Sequence, residues 1–233
     1  MRIAITVTAL LVLGALLACK KKTVDGAIAE HRAGVEKTFA AMKGLEPLVV
    51  NAPKIETDGI RPAGEAVLAE RSAEQNAIVV FAADLPDPTN KSVATLRTTR
   101  TEQLADCAAI LQTKKHVNGV TDARGDVAAE YLGQCARVRY LFVVRPHEYE
   151  PPMVSGAETF RPGKFVGDVT LWRLDTRTSF GGFKVSAESK SLTLGPRDTV
   201  DRIYTSFAAI LLANIEAGIR THAPGALKPE PAR

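Results

Sequence analysis

The pattern of apolar and polar residues predicts five helices. Three of them are amphipathic: their apolar residues recur every three or four positions, which places these residues on one face of the helix. The first begins at Val24 and is expected to end at Gly44 and Pro47, since both residue types disfavour helix interiors. The last has the longest apolar stripe, with Phe207 near its middle and Asp198 as its N-cap. The predicted helices are Val24–Met42, Glu65–Gln75, Thr101–Lys115, Asp126–Gln134 and Asp198–Ile219.

Runs rich in β-branched and aromatic residues predict four strands. The strongest is Arg137–Arg145, RVRYLFVVR, whose centre is apolar on both faces and is therefore expected inside the sheet. Phe165–Leu174 and Phe180–Ser189 are predicted to form a hairpin around the turn-rich Asp175–Thr178. Ala77–Ala82 supplies the fourth strand. These elements predict an α+β fold, in which an antiparallel sheet of about four strands carries amphipathic helices packed mainly on one face.

The composition fits one globular domain between two terminal segments. The 233-residue chain is 45% apolar and 24% charged, which is ordinary for a protein that buries a core. We expect a single α+β domain over residues 23–222 and a disordered, Pro-rich tail over 223–233. The formal net charge of +4 is too small to indicate nucleic acid as a partner, and no basic block with interleaved aromatic residues occurs in the body of the chain.

The N-terminal segment has the features of an export signal. Arg2 precedes an apolar run from Ile3 to Ala18, which is shorter than the roughly 20 residues that span a bilayer. The run ends in Leu16-Leu17-Ala18-Cys19, which resembles the lipobox of bacterial lipoproteins. The resemblance implies that residues 1–18 are a signal peptide and that Cys19 receives a lipid, with fatty acids such as palmitate.

The same resemblance implies a location in the bacterial cell envelope. The basic tether 19–22 would lie against anionic headgroups, with each lysine contributing about 1 kcal/mol at the membrane surface. Lys20 stands where an aspartate can retain such proteins in the inner membrane, which implies the outer membrane if the cell has one. An uncleaved signal anchor is the alternative, and the three lysines that follow the apolar run favour it.

Two cysteines remain once Cys19 carries the lipid. Cys107 and Cys135 are 28 residues apart, and export would place them where disulfides persist. We expect them to be bonded. The alternative is a pair of independent buried thiols.

The most site-like stretch of the sequence is Arg145–Lys164, which leaves the strongest strand. It is longer than most connections in a compact domain and carries side chains of both charges. These side chains are candidates for binding a partner. The alternative is that Arg145, His147 and Tyr149 only continue the in–out alternation of the preceding strand and point into solvent. Trp172, the single tryptophan, is either an interface anchor or part of the core. The candidate binding residues are Arg145, His147, Glu148, Tyr149, Arg161 and Trp172.

Motifs that would identify an enzyme or a cofactor site are not found in the sequence. No histidine lies at a metal-ligand spacing from another histidine or a cysteine, and no nucleotide-binding glycine loop occurs. We therefore expect no metal and no cofactor, and a non-catalytic module that binds another envelope protein or polymer. One alternative is an envelope hydrolase that uses the 145–164 loop, with His147 and Glu148 or Glu150 as acid/base groups. Another is a carrier of a small molecule or lipid, which needs an apolar cavity.

Overall fold

The computed structural model describes residues 23–62, 65–69, 74–89, 96, 98, 101–115, 124–155, 159–189 and 200–227. The signal segment, Cys19 with its tether, and the expected N-cap Asp198 lie outside these residues. Within them, the helices are α1 (Val24–Val50), α2 (Gln103–Thr113), α3 (Gly125–Ala136) and α4 (Val200–His222). The strands are β1 (Gly59–Ile60), β2 (Ala77–Phe81), β3 (Tyr140–Glu150), β4 (Met153–Ser155), β5 (Thr159–Arg161), β6 (Lys164–Arg173) and β7 (Thr178–Glu188).

The main sheet has five strands in the order β1-β7-β6-β3-β2. The fold is therefore α+β, as predicted, and most neighbouring strands are antiparallel. The exception is β2, which pairs in parallel with β3, so the sheet is mixed and not purely antiparallel. The reason lies in the connection: α2 and α3 come between the two strands and carry the chain back to the end of the sheet where β2 begins.

Helices cover both faces of this sheet. On one face, α1, α2 and α3 enclose an apolar cluster that includes Leu141, Val143 and Trp172. On the other face, α4 is the one described helix that covers a second cluster, which includes Phe142 and Phe183. Three of the four described helices thus share one face, and the alternation of β3 supplies apolar side chains to both clusters.

The stripe of α4 packs as its spacing predicts. Phe207 is fully buried, and its ring stacks against Tyr149 with centroids 6.4 Å apart. Residues on the same face at helical spacing are buried with it. They are Ile203, Leu211, Ile215 and Ile219.

The first helix extends beyond the residues that were expected to end it. It runs through Gly44 and Pro47 to Val50. Met42, Leu45 and Val49 continue the buried stripe, so packing outweighs the low helix propensity of the glycine and the proline. Gly44 also makes room for a neighbour, because a Cβ there would lie 2.9 Å from the guanidinium of Arg177.

Two other predictions are wrong in their described parts. Residues 65–69 form no helix; Leu68 instead makes an isolated parallel bridge to Leu227. That bridge also corrects the start of the predicted disordered tail, because Ala223 and Leu227 are partly buried against the second cluster. Ala226 is buried, and its carbonyl accepts a hydrogen bond from Leu68 N at 2.6 Å. Five residues are too few to show an apolar period, so the sequence pattern could not reveal this contact.

Candidate functional site

Part of one sheet face is left open where α1 ends. The open part holds a cleft of about 420 Å3 between the ends of β3, β6 and β7 and the segment that follows α1. Asp168 and Gly167 form its floor. Lys54, Ile55, His147, Val166, Lys184 and Ser186 line it.

Asp168 of the cleft belongs to a buried ion pair between neighbouring strands. The sheet register places Arg145 of β3 opposite Asp168 of β6. The guanidinium donates from Nε to Oδ1 at 2.6 Å and from Nη2 to Oδ2 at 2.7 Å. Both side chains are buried, with 8% and 1% of their surfaces exposed. This two-point geometry is the strongest form of a carboxylate–arginine pair.

The same guanidinium completes the end of α1. Its Nη1 donates to the carbonyl of Val49 at 3.0 Å and to that of Ala52 at 2.7 Å, and its Nη2 donates to Pro53 O at 2.8 Å. All five N–H donors of Arg145 are therefore used. Carbonyls at a helix C-terminus lack helical partners, so Arg145 both satisfies them and fixes where the helix stops. Its role is structural.

A β-bulge lies at His147, which lines the cleft. The register between β3 and β6 shifts by one residue between Pro146 and Glu148, which leaves His147 without a residue opposite it. Proline is tolerated at such an irregularity because no ladder donor is needed there. Gly167 allows the close approach, since a Cβ at this position would lie 2.3 Å from the carbonyl oxygen of Arg145.

His147 and Asp168 form a hydrogen-bonded pair. The imidazole Nε2 lies 2.9 Å from Asp168 Oδ2, and 21% of the histidine side chain remains exposed. Ile55 N also donates to Oδ2, at 3.2 Å. Burial by itself would raise the pKa of Asp168, but the hydrogen bonds from Arg145, His147 and Ile55 outweigh burial and lower it. The carboxylate is therefore ionised at neutral pH, and its charge is offset by Arg145.

Besides Asp168, the charged side chains that line the cleft are two lysines. Lys54 and Lys184 are exposed, and neither ammonium group has an ion-pair partner in the part of the chain that the structure describes. Because Arg145 already neutralises Asp168, the lining side chains carry a net positive charge. Asp58 lies just outside this lining, where it accepts a hydrogen bond from the backbone N–H of Lys184.

The structure separates the candidate residues that the sequence grouped together. The expected loop after Arg145 is mostly strand, because β3 continues to Glu150. Glu148 lies at the outer rim, paired with Lys164 at 2.9 Å, and Tyr149 lies on the opposite face against α4. Arg161 is exposed on the small β4–β5 hairpin. Of the six candidates, His147 alone lines the cleft.

Trp172 belongs to the core. It is 6% exposed, and its indole N–H donates to Thr170 Oγ1 at 2.9 Å. The interface-anchor hypothesis is therefore wrong for this residue, whose surface is covered by the first helical layer.

Four polar or charged residues of the cleft were missed. Lys54 and Lys184 carry no sequence signal, since exposed lysines are common, and the same holds for Ser186. Asp168 did carry a signal. It is a lone acid inside the apolar strand FVGDVTLW, and the strand predicted before it in the chain, RVRYLFVVR, ends in an arginine.

No protein-family model matches this chain, and no curated protein matches it significantly. Its function must therefore be argued from its own residues.

The cysteine pair lies apart from the cleft. Cys107 and Cys135 are bonded, with their sulfur atoms 2.05 Å apart, and they join α2 to α3. Among the described residues, no three His, Cys, Asp or Glu side chains are grouped closely enough to hold a metal ion. None of the described helices is both long and apolar enough to cross a bilayer.

Proposed function

We propose that this protein is a lipid-anchored bacterial envelope protein whose domain binds another envelope component in the open cleft. The observation that carries the binding role is the cleft itself. Elsewhere on this sheet face apolar side chains lie under helices, whereas here about 420 Å3 is open, with mostly apolar walls and a few polar and charged side chains among them. The bonded cysteines support the proposed envelope location, because such pairs persist in oxidising compartments.

The proposed anchor and the cleft lie at opposite ends of α1. The helix has 27 residues, which corresponds to a length of about 40 Å. Cys19 precedes its first turn, and a tether of four residues reaches at most about 14 Å. The cleft lies beside the last turn, where Arg145 contacts Val49 O. An upright α1 would therefore present the cleft away from the anchoring membrane, towards a partner in the envelope space.

A hydrolase is the second candidate, and the His147–Asp168 pair favours it. A carboxylate that holds one ring nitrogen leaves the other free to act as a general base. The carboxylate in this pair is that of Asp168, whereas the sequence suggested Glu148 or Glu150. Ser186, which lines the same cleft, would be the nucleophile. Labelling of Ser186 by a fluorophosphonate would support this candidate, and its absence is expected for a binding module.

The anchor is tested at Cys19. We expect Cys19→Ala to leave an unlipidated precursor that retains residues 1–18, because the acceptor thiol is lost. Labelling with a radioactive fatty acid, together with the size of the product, measures this. A Cys19→Ala protein that labels and matures like wild type would exclude the lipoprotein assignment.

The binding role is tested by filling the cleft. Val166 is partly exposed in its wall, and Val166→Trp would occupy much of the space while leaving Arg145 and Asp168 in the sequence. We expect the purified variant to lose at least tenfold of its affinity for isolated envelope fragments in co-sedimentation. Lys37→Trp, on the exposed side of α1, is the matched control and should bind like wild type. Equal binding by the two variants would exclude the cleft.

A further inference from the structure

We propose that the cleft recognises an oxyanion, a phosphate or carboxylate group carried by its ligand, through Lys54 and Lys184. This inference rests on the cleft being the binding site but not on the lipid anchor. Two lysines from different segments line it, one just after α1 and one on β7. A lysine suits an oxyanion as a compact point charge with three donors.

The acidic groups near these lysines already have partners. Asp168 accepts hydrogen bonds from Arg145, His147 and Ile55 N. Asp58 Oδ1 accepts from the backbone N–H of Lys184 at 2.8 Å, and Glu148 pairs with Lys164 on the outer rim. Neither cleft lysine has an ion-pair partner among the described residues, so both ammonium groups can contact a ligand, and the imidazole edge offers a further polar contact.

The volume and the walls indicate that the oxyanion is part of a larger molecule. A volume of about 420 Å3 exceeds what a single small anion needs, given that a water molecule occupies about 30 Å3 in the liquid. Ile55 and Val166 provide apolar walls beside the lysines. A ligand that combines an acidic group with an apolar or sugar-like portion would fill this space.

The test uses the complete mature protein in neutral detergent micelles, with inorganic phosphate and acetate as separate probes at constant ionic strength. Chemical-shift titration of the labelled protein gives the dissociation constant. We expect saturable shifts at Gly167 and Lys184 for at least one probe, and at least a tenfold loss of affinity in Lys54→Gln/Lys184→Gln. The control Lys37→Gln/Lys43→Gln removes the same charge from exposed positions on α1 and should titrate like wild type.

Two results would overturn the oxyanion site: no saturable shift with either probe, or equal titration of the two double variants. If Val166→Trp abolishes envelope binding while Lys54→Gln/Lys184→Gln titrates like wild type, the binding role stands and the oxyanion site fails.

Repeating the titration in nanodiscs identifies the source of the oxyanion. If phosphate still titrates the protein in phosphatidylglycerol nanodiscs, the oxyanion belongs to a ligand away from the membrane. If phosphate titrates the protein in phosphatidylcholine nanodiscs but not in phosphatidylglycerol nanodiscs, the anionic headgroup occupies the oxyanion site.

Discussion

Two halves of one sheet face differ in what covers them. In the first half, Leu141, Val143 and Trp172 lie under α1 to α3, and the surface is apolar and closed. In the second half the same strands carry His147 and Asp168, and the face is open. The boundary is the end of α1, which Arg145 fixes by holding its last carbonyls. One arginine thus divides a face that stabilises the fold from a face that is free to bind.

The largest expected effect comes from breaking that boundary. Arg145→Ala leaves Asp168 as a buried, uncompensated charge and leaves the carbonyls of Val49, Ala52 and Pro53 without this donor. We expect the free energy of unfolding to fall by about 3–5 kcal/mol, measured by denaturant unfolding. Arg124→Ala, which breaks an exposed pair with Asp126, should unfold like wild type.

The double variant Arg145→Met/Asp168→Leu sharpens this result. Because it removes both charges together, it should recover much of the stability lost in Arg145→Ala. An Arg145→Ala protein as stable as wild type would show that the ion pair does not define the boundary.

The covered half also depends on the disulfide that joins two of its helices. Cys107→Ala/Cys135→Ala opens a loop of 28 residues, which by chain entropy should lower stability by about 3–4 kcal/mol. Thermal melts of the oxidised protein and the variant measure the difference. Mass mapping without reductant should find the bond in protein taken from the envelope, and two free thiols there would contradict the pairing.

A smaller effect is expected at the C-terminal end of the described chain. Deleting residues 223–233 removes the buried Ala226 and the acceptor of Leu68 N. A donor left without its partner corresponds to about 1–3 kcal/mol, which a melting curve resolves. Deleting only 228–233 keeps these contacts and is the control. Equal stability of the two truncated proteins would show that the packed segment contributes nothing.

The smallest effect on stability is expected in the open half. Lys54→Gln and Lys184→Gln change exposed side chains without ion-pair partners in the described part of the chain, so each should alter stability by no more than about 0.5 kcal/mol. Their effect should appear in binding instead. A large loss of stability in either variant would mean that the open half supports the fold as the covered half does.

Periodic features of this molecule were predictable from sequence, and features made by contacts between distant segments were not. The stripe of α4 and the β6–β7 hairpin follow from local spacing. The end of α1 does not, because Gly44 and Pro47 are overridden by Leu45, Val49 and an arginine almost a hundred residues away. The cleft is likewise assembled from four separate segments, and its two lysines look ordinary in the segments that hold them.

Cross-linking within cells tests most directly whether the open half is the half that binds. A small diazirine amino acid placed at Ser186 lies in the cleft, and one placed at Lys37 lies on the exposed side of α1. After irradiation of cells that express the complete chain, we predict adducts with envelope material from position 186 and none from position 37. Adducts from position 37 alone, or equal adducts from both positions, would contradict the division of the sheet face into a covered half and a binding half.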